Sequence, residues 1–110
     1  MSIFNFHIYL LMVINIQKFI SSTCNIPIDM LKGKISVKNH DQYNSYNLSI
    51  ILSWLLHPTK KYGCKSTIAR LHKCNMNRVH RLHNLYSKNS NFKSFVDKAL
   101  QDYKITYASN

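Results

Sequence analysis

Apolar residues in the second half of the chain recur at helical spacing. Between residues 92 and 103 they follow the steps i, i+3, i+4, i+7, i+8 and i+11, which predicts an amphipathic helix capped by Asn91. Residues 67–86 show a similar spacing with one slip between Cys74 and Asn77. This segment therefore predicts either one long helix or two short helices.

A third apolar segment lies in the middle of the chain. Residues 48–56 (LSIILSWLL) are apolar on nearly every side, with Asn47 as a predicted N-cap and Pro58 as a stop. We expect this segment to be the central buried helix, and a strand is the alternative because it is short and contains adjacent isoleucines. The preceding residues 38–46 are polar without apolar periodicity and predict a loop.

A weaker helix is predicted further upstream. Ile28, Leu31 and Ile35 form one apolar stripe, but Gly33 inside it costs about 1 kcal/mol relative to alanine. With the segments above, the pattern predicts an all-α fold, a small bundle of three or four helices.

The N-terminal segment has a different character. Residues 3–16 (IFNFHIYLLMVINI) are mostly apolar and are followed by Ser21, Ser22 and Thr23, although no Lys or Arg precedes the run. A short apolar run before small residues is typical of a secretory signal peptide. We therefore expect residues 1–23 to be a signal peptide and residues 24–110 to be the helical domain of a secreted, extracellular protein. The alternative is a helix that packs within an intracellular protein.

The charge of the chain is strongly one-sided. Fifteen Lys and Arg residues face only four acidic residues, all Asp, which gives a formal net charge of +11. Such a chain attracts acidic partners, but charge alone does not choose among nucleic acid, anionic glycan, lipid headgroup and an acidic receptor surface. The apolar N-terminal run is shorter than the roughly 20 residues of a membrane span, so we expect no stable membrane insertion.

Catalytic and metal-binding chemistry have little support in the residues. There is no Glu, and the four Asp residues are scattered, so paired-carboxylate catalysis is not expected. Cys74 lies near His72, His80 and His83, but the spacing matches no zinc motif. We therefore expect no enzyme, no metal and no cofactor. The sequon that begins at Asn47 is a glycosylation site if the chain is exported.

Residues 66–82, STIARLHKCNMNRVHRL, resemble the helix-turn-helix pattern of transposases and small repressors. The resemblance places a supporting helix before Cys74 and a recognition helix capped by Asn75, within residues 67–86. It implies that duplex DNA is the partner, read in the major groove by Asn77, Arg78, His80 and Arg81. Lys73 stands at the turn, where that pattern usually has a glycine.

The chain after the predicted signal peptide also resembles a second class of proteins. CNIPIDMLKGKI, SIILSWLLHPTKKYGC, NRVHRLHNLY and NFKSFVDKALQDY follow one another in the order and character of the helices of short-chain four-helix cytokines of the interleukin-4 and interleukin-13 type. The resemblance implies a secreted signalling protein that binds a cell-surface receptor. Its interface would be the cationic face of residues 67–86, with Arg78 and Arg81 as anchors beside Lys73, Asn77 and His80.

Within this secreted interpretation, a disulfide between Cys24 and Cys64 would connect the start of the first helix after the signal peptide to the end of the second.

A third interpretation starts from Lys60-Lys61, a dibasic processing site. Cleavage after Lys61 would release a peptide with one disulfide ring and a helix, similar to the adrenomedullin-type hormones.

We therefore expect a secreted, cytokine-like signalling protein that binds a cell-surface receptor, and a small intracellular DNA-binding protein is the alternative. The region of Cys74 to Asn77 distinguishes the two. One unbroken helix there would favour the cytokine, whereas a sharp turn would favour binding to DNA.

Overall fold

Helices account for most of the residues that the structure describes. The structure is a computed structural model, and it describes residues 3–57 and 64–108 of the 110-residue chain. Over these residues the helices are α1 (Ile3–Cys24), α2 (Ile28–Leu31), α3 (His40–Leu55), α4 (Cys64–His72), α5 (Met76–Lys88) and α6 (Ser90–Ala108). The described residues contain no strand. The predicted all-α fold class is therefore confirmed, and the strand alternative for residues 48–56 is wrong.

The helix α3 is the centre of the fold, since it contacts each of the other five helices. Ile50, Ile51 and Leu52 are fully buried, as expected for the central segment. The helix begins earlier than predicted, because Asn39 caps it: its Oδ1 accepts a hydrogen bond from the backbone N–H of Gln42 at 3.0 Å. The loop predicted for residues 38–46 is therefore mostly helix.

Buried polar side chains explain why the first half of α3 lacks an apolar pattern. Tyr46 is buried and donates a hydrogen bond from its hydroxyl to the backbone oxygen of His72 at 2.6 Å. Asn47 is buried and its Oδ1 accepts a hydrogen bond from the Nη1 of Arg78 in α5 at 3.0 Å. A polar group with a partner can face the core at little cost, so periodicity of apolar residues alone misses these positions.

The N-terminal helix α1 packs into the core of the bundle. Val13, Ile16 and Ile20 are buried along it. Near its end, the rings of Phe19 and Tyr103 of α6 form a T-shaped pair, with 5.5 Å between the ring centroids. The segment predicted as a signal peptide is thus a helix of the bundle in the intact chain, and its removal on export stays a prediction.

Two further predictions from the sequence concern membrane insertion and a processing site. No helix among the described residues has the length and apolar character that crossing a membrane requires. Pro58 and the predicted processing site at Lys60-Lys61 lie outside the described residues.

The boundaries of α6 and α2 differ from the predictions. The cap of α6 is Asn89 and not Asn91, because the Oδ1 of Asn89 accepts from the backbone N–H of Phe92 at 2.9 Å. The upstream helix α2 is a single turn that ends before Gly33, whose φ of 76° is in the left-handed region. Ile35, predicted to lie on the apolar stripe, is exposed.

Gly33 packs against the end of α4. A Cβ atom at Gly33 would overlap the backbone oxygen of His72 and lie 2.6 Å from the Cβ of Lys73. The loop after α2 and the end of α4 are therefore in contact with no space for a side chain between them. Glycine is required here both by its φ and by this close approach.

Replacing Gly33 by alanine is expected to lower the free energy of unfolding by about 2–3 kcal/mol, because left-handed strain and the clash with the His72 backbone add. Urea unfolding followed by circular dichroism measures this loss. The neighbouring exposed Lys34→Ala serves as the control, and the contact is contradicted if both variants are equally stable.

Candidate functional site

A sharp turn separates α4 from α5. The backbone N–H of Cys74 donates to the oxygen of Ala69 at 2.9 Å, and the N–H of Lys73 donates to the oxygen of Arg70 at 3.2 Å. This pair of bonds is a Schellman motif, in which the residue after the helix adopts left-handed backbone angles. Lys73 has a φ of 51°, although glycine is the residue that this conformation favours. Residues 67–86 therefore form two helices and not one.

The second helix begins immediately after this turn. Asn75 caps α5 as predicted, since its Oδ1 accepts from the backbone N–H of Asn77 at 2.8 Å. Val79 and Leu82 are buried and fix α5 onto the bundle, where α5 contacts α3, α4 and α6. The turn and these two anchors determine which face of α5 points outward.

The outward face of α5 is polar and cationic. Its exposed side chains lie at the steps i, i+4, i+7 and i+11, which places them in one row along the helix: Asn77, Arg81, Asn84 and Lys88. His80 is exposed at the edge of this row, on the side of α4. Three of the predicted site residues, Asn77, His80 and Arg81, are therefore together on the surface. Asn84 and Lys88 were not predicted, and extending the spacing from Asn77 would have found them.

Arg78 occupies a different position from the other predicted residues. Its Nη1 donates a hydrogen bond to the Oδ1 of Asn47 in α3 at 3.0 Å, and its guanidinium lies over the rings of Tyr43 and Tyr46, 5.1 and 5.4 Å from their centroids. Arg78 is thus half-buried between α5 and α3. It fixes the orientation of α5 more than it offers a side chain to a partner.

Asn47 is the partner of Arg78 and is itself only 8% exposed within α3. Attachment of a glycan needs an accessible side-chain amide, and Asn47 does not offer one in the folded domain. The predicted glycosylation of Asn47 would therefore have to occur before the chain folds.

An open cavity lies beside the start of α5. Its volume is about 500 Å³, and it is lined by Tyr46, Lys73, Cys74, Asn75, Asn77, Arg78 and Arg81. Lys73, Arg78 and Arg81 place three cations around this cavity. The predicted residues Lys73, Asn77 and Arg81 therefore lie close together in the fold. No acidic side chain lines the cavity, which makes it electropositive.

The local charge extends beyond the cavity. No acidic residue occurs between Asp41 and Asp97, so α4 and α5 carry basic residues without any acid. Among the described residues the single ion pair joins Lys93 to Asp97 within α6. The cationic face of α5 is therefore not neutralised by acids of its own helix or of α4.

The cysteines do not pair in this fold. All three lie in the described residues, and no disulfide joins them. Cys24 is exposed at the end of α1, whereas Cys64 is buried at the start of α4 with its Sγ 3.4 Å from the Nδ1 of His57. The disulfide predicted between Cys24 and Cys64 is not formed. Burial raises the pKa of the Cys74 thiol beside the turn, which makes it less reactive.

The buried side chain of His72, just before the turn, holds the end of α4 against α3. The Nδ1 of His72 lies 2.9 Å from the backbone oxygen of Ile68, and its Nε2 lies 2.7 Å from the Oγ of Ser49. Because a carbonyl only accepts, Nδ1 carries the proton and the Ser49 hydroxyl donates to Nε2. Burial lowers the pKa of His72 to about 4. This neutral imidazole ties the last turn of α4 to α3.

The unfolding free energy should fall by about 2 kcal/mol between pH 7 and pH 5, because the ordinary histidine pKa is about 6.5 and the unfolded chain binds the proton over that range while folded His72 does not. Urea unfolding at the two pH values measures this loss. His72→Gln should lose most of this pH dependence. An unfolding free energy that is equal at both pH values would contradict a buried neutral His72.

Three comparisons with known proteins found no relative of this chain. No family model, no curated protein and no solved structure matches the chain. Within the described residues, no three His, Cys, Asp or Glu side chains are grouped as metal ligands would be. The functional proposal therefore rests on the turn, on the exposed face of α5 and on the charge around them.

Proposed function

We propose that the protein binds duplex DNA through α4 and α5, with α5 as the helix that enters the major groove. The observation that carries this proposal is the sharp turn at Lys73, since it separates two helices and leaves the polar row of α5 outward. An unbroken helix through residues 74–77 would have favoured a cytokine-like bundle instead. Two helices joined by a tight turn, the second with its polar row outward, are the elements that a helix-turn-helix unit requires.

The dimensions of α5 suit a major groove. The helix has 13 residues and is therefore about 20 Å long, at about 1.5 Å per residue. The major groove of B-form DNA is about 12 Å wide and admits an α-helix, whereas the major groove of A-form RNA is too narrow. We therefore propose DNA and not double-stranded RNA as the ligand.

The exposed side chains on α5 have the chemistry of base recognition. Arg binds both acceptors of a guanine edge and Asn binds both polar groups of an adenine edge. We propose that Asn77 and Arg81, which start the row and line the cavity, contact bases. Lys88 at the far end and Lys73 at the turn would contact phosphates, since lysine acts as a point charge.

Two further features support a protein that keeps residues 1–23 and has no disulfide. Helix α1 contributes buried residues to the core, so the domain uses the segment that a signal peptidase would remove. No disulfide joins the cysteines. Both features accord with a DNA-binding protein, while the secreted cytokine-like and hormone-precursor interpretations stay predictions.

The proposal is tested by titrating a labelled duplex with the full chain and following fluorescence anisotropy at several salt concentrations. The logarithm of the affinity should fall linearly with the logarithm of salt, with a slope of about −4, if about four basic side chains contact phosphates. Double-stranded RNA of the same sequence is the control and should bind more weakly. Undetectable binding to duplex DNA at about 50 mM salt would contradict the proposal.

A further inference from the structure

The cavity beside the start of α5 gathers positive charge in a small volume. Lys73, Arg78 and Arg81 line its volume of about 500 Å³ together with Asn75 and Asn77, and none of the acids among the described residues lines it. Positive groups held this close repel one another, and an anion placed between them removes the repulsion. The cavity therefore favours a ligand that carries more than one negative charge.

The guanidinium of Arg78 is oriented before any ligand arrives. Its Nη1 donates to the Oδ1 of Asn47 at 3.0 Å, and the group lies over the ring of Tyr46, 5.4 Å from the centroid. Because a guanidinium has five N–H donors, the bond to Asn47 leaves others for a ligand in the cavity. A side chain that is already ordered also loses little conformational entropy when it binds an anion.

Lys73 is held at the edge of the cavity by the backbone. Its φ of 51° is in the left-handed region that favours glycine. The Cβ of Lys73 also packs against Gly33, where an added Cβ atom would be 2.6 Å away from it. Glycine would form this turn with less strain, and what lysine adds at the position is its charge.

The cavity offers mainly hydrogen-bond donors. Lysine and arginine only donate, and the Oδ1 of Asn75 already accepts from the backbone N–H of Asn77 at 2.8 Å. Phosphate oxygens are acceptors and match such a site. A phosphate monoester carries about −1.5 to −2 charges at pH 7, whereas a phosphodiester carries a single negative charge. The monoester therefore fits three cations better.

We propose that this cavity binds the phosphate of a small monoester, and that the ester competes with duplex DNA for the start of α5. The competition rests on the proposed function, whereas the binding does not. Asn77 and Arg81 line the cavity and are also the residues proposed to contact bases, so one molecule cannot use them for both ligands at once. The volume is in the range of small-molecule sites, which leaves room for the organic part of the ester.

The binding is tested without DNA by titrating the full chain with methyl phosphate at constant ionic strength and following backbone amides by NMR. Signals of residues 73–78 should shift and saturate. Dimethyl phosphate is the control, and this diester with its single charge should bind at least about tenfold more weakly. Equal affinities for the two esters, or shifts that do not saturate, would overturn the assignment.

The variant Lys73→Gly separates binding from stability. It removes one charge and relieves the left-handed strain, so the affinity for methyl phosphate should fall about tenfold while the free energy of unfolding changes little. Arg81→Gln, at an exposed position of the same cavity, should show a similar loss. Lys98→Ala removes an exposed charge of α6 outside the cavity and should bind methyl phosphate as the unchanged protein does. Unchanged affinity in both cavity variants would overturn the site.

The competition is measured by anisotropy with a labelled duplex. Methyl phosphate should lower the affinity for the duplex, and dimethyl phosphate at the same concentration and ionic strength should not. A duplex with 5′-phosphate ends should bind as its 5′-hydroxyl form does, since tighter binding would assign the cavity to DNA ends and overturn a small ester as its ligand. Duplex binding that methyl phosphate does not affect would overturn the competition. Absence of duplex binding would overturn the proposed function, while the titration without DNA still decides whether the cavity binds the ester.

Discussion

Replacing Ile16 by alanine is expected to lower the free energy of unfolding by about 3–5 kcal/mol, because it leaves a cavity in the hydrophobic core. Ile16 has no exposed surface and lies in the middle of α1. A loss of this size is a large part of the stability of a small domain. Urea unfolding of the full chain, followed by circular dichroism, measures it.

The same helix offers a matched control. Leu11 is 60% exposed on α1, so Leu11→Ala should change the free energy of unfolding by no more than about 0.5 kcal/mol. A large difference between the two variants means that α1 packs as a helix of the bundle. Equal and small effects would contradict this packing and would return residues 1–23 to the signal-peptide interpretation.

Replacing Arg81 by alanine is expected to weaken binding to a preferred duplex by about 10- to 100-fold, which corresponds to the loss of one two-pronged contact to a base. Arg81 is exposed on the row of α5 and lines the cavity at its start. The loss should be larger on the preferred duplex than on a scrambled one, because a base contact depends on sequence and a phosphate contact does not.

Two control variants distinguish the loss of a base contact from the loss of a positive charge and from a loss of stability. Lys98→Ala removes one exposed positive charge from α6 and should weaken binding only slightly on every duplex. Arg78→Ala should lower the unfolding free energy, since it leaves Asn47 without this hydrogen bond and removes the packing on Tyr43 and Tyr46. If Lys98→Ala weakens binding as much as Arg81→Ala does, Arg81 is not a base-contacting residue.

The sequence predicts the apolar helices of this fold well. The all-α class, the central position of residues 48–56 and the capping of α5 by Asn75 all agree with the structure. In each case an apolar period or a local cap carries the information, and neither depends on distant residues. The slip between Cys74 and Asn77 had two possible meanings, and the turn distinguishes them.

The first half of α3 could not be predicted in the same way. Tyr46 and Asn47 are polar in sequence but buried in the fold, and their partners lie in α4 and α5. Those partners are distant in sequence, so no local pattern identifies them. Ile35 shows the opposite error, because Gly33 ends the helix before the apolar stripe is complete.

The candidate site was predicted in part for a similar reason. Asn77, His80 and Arg81 follow from the outer side of an amphipathic helix. The position of Arg78 depends on α3, which approaches α5 only in the folded bundle. The contacts of Lys65 with His80 and His83 could not be predicted either, because they form only where α4 and α5 pack against each other.

Selection of binding sites from a pool of random duplexes by the full chain tests the central claim most directly. A helix that reads bases should enrich one short sequence, and the enriched duplex should bind at least about 10³-fold more tightly than its scrambled form. The double variant Asn77→Ala with Arg81→Ala should lose this preference while it keeps weak, salt-dependent binding. A pool that remains random after selection would contradict α5 as a recognition helix.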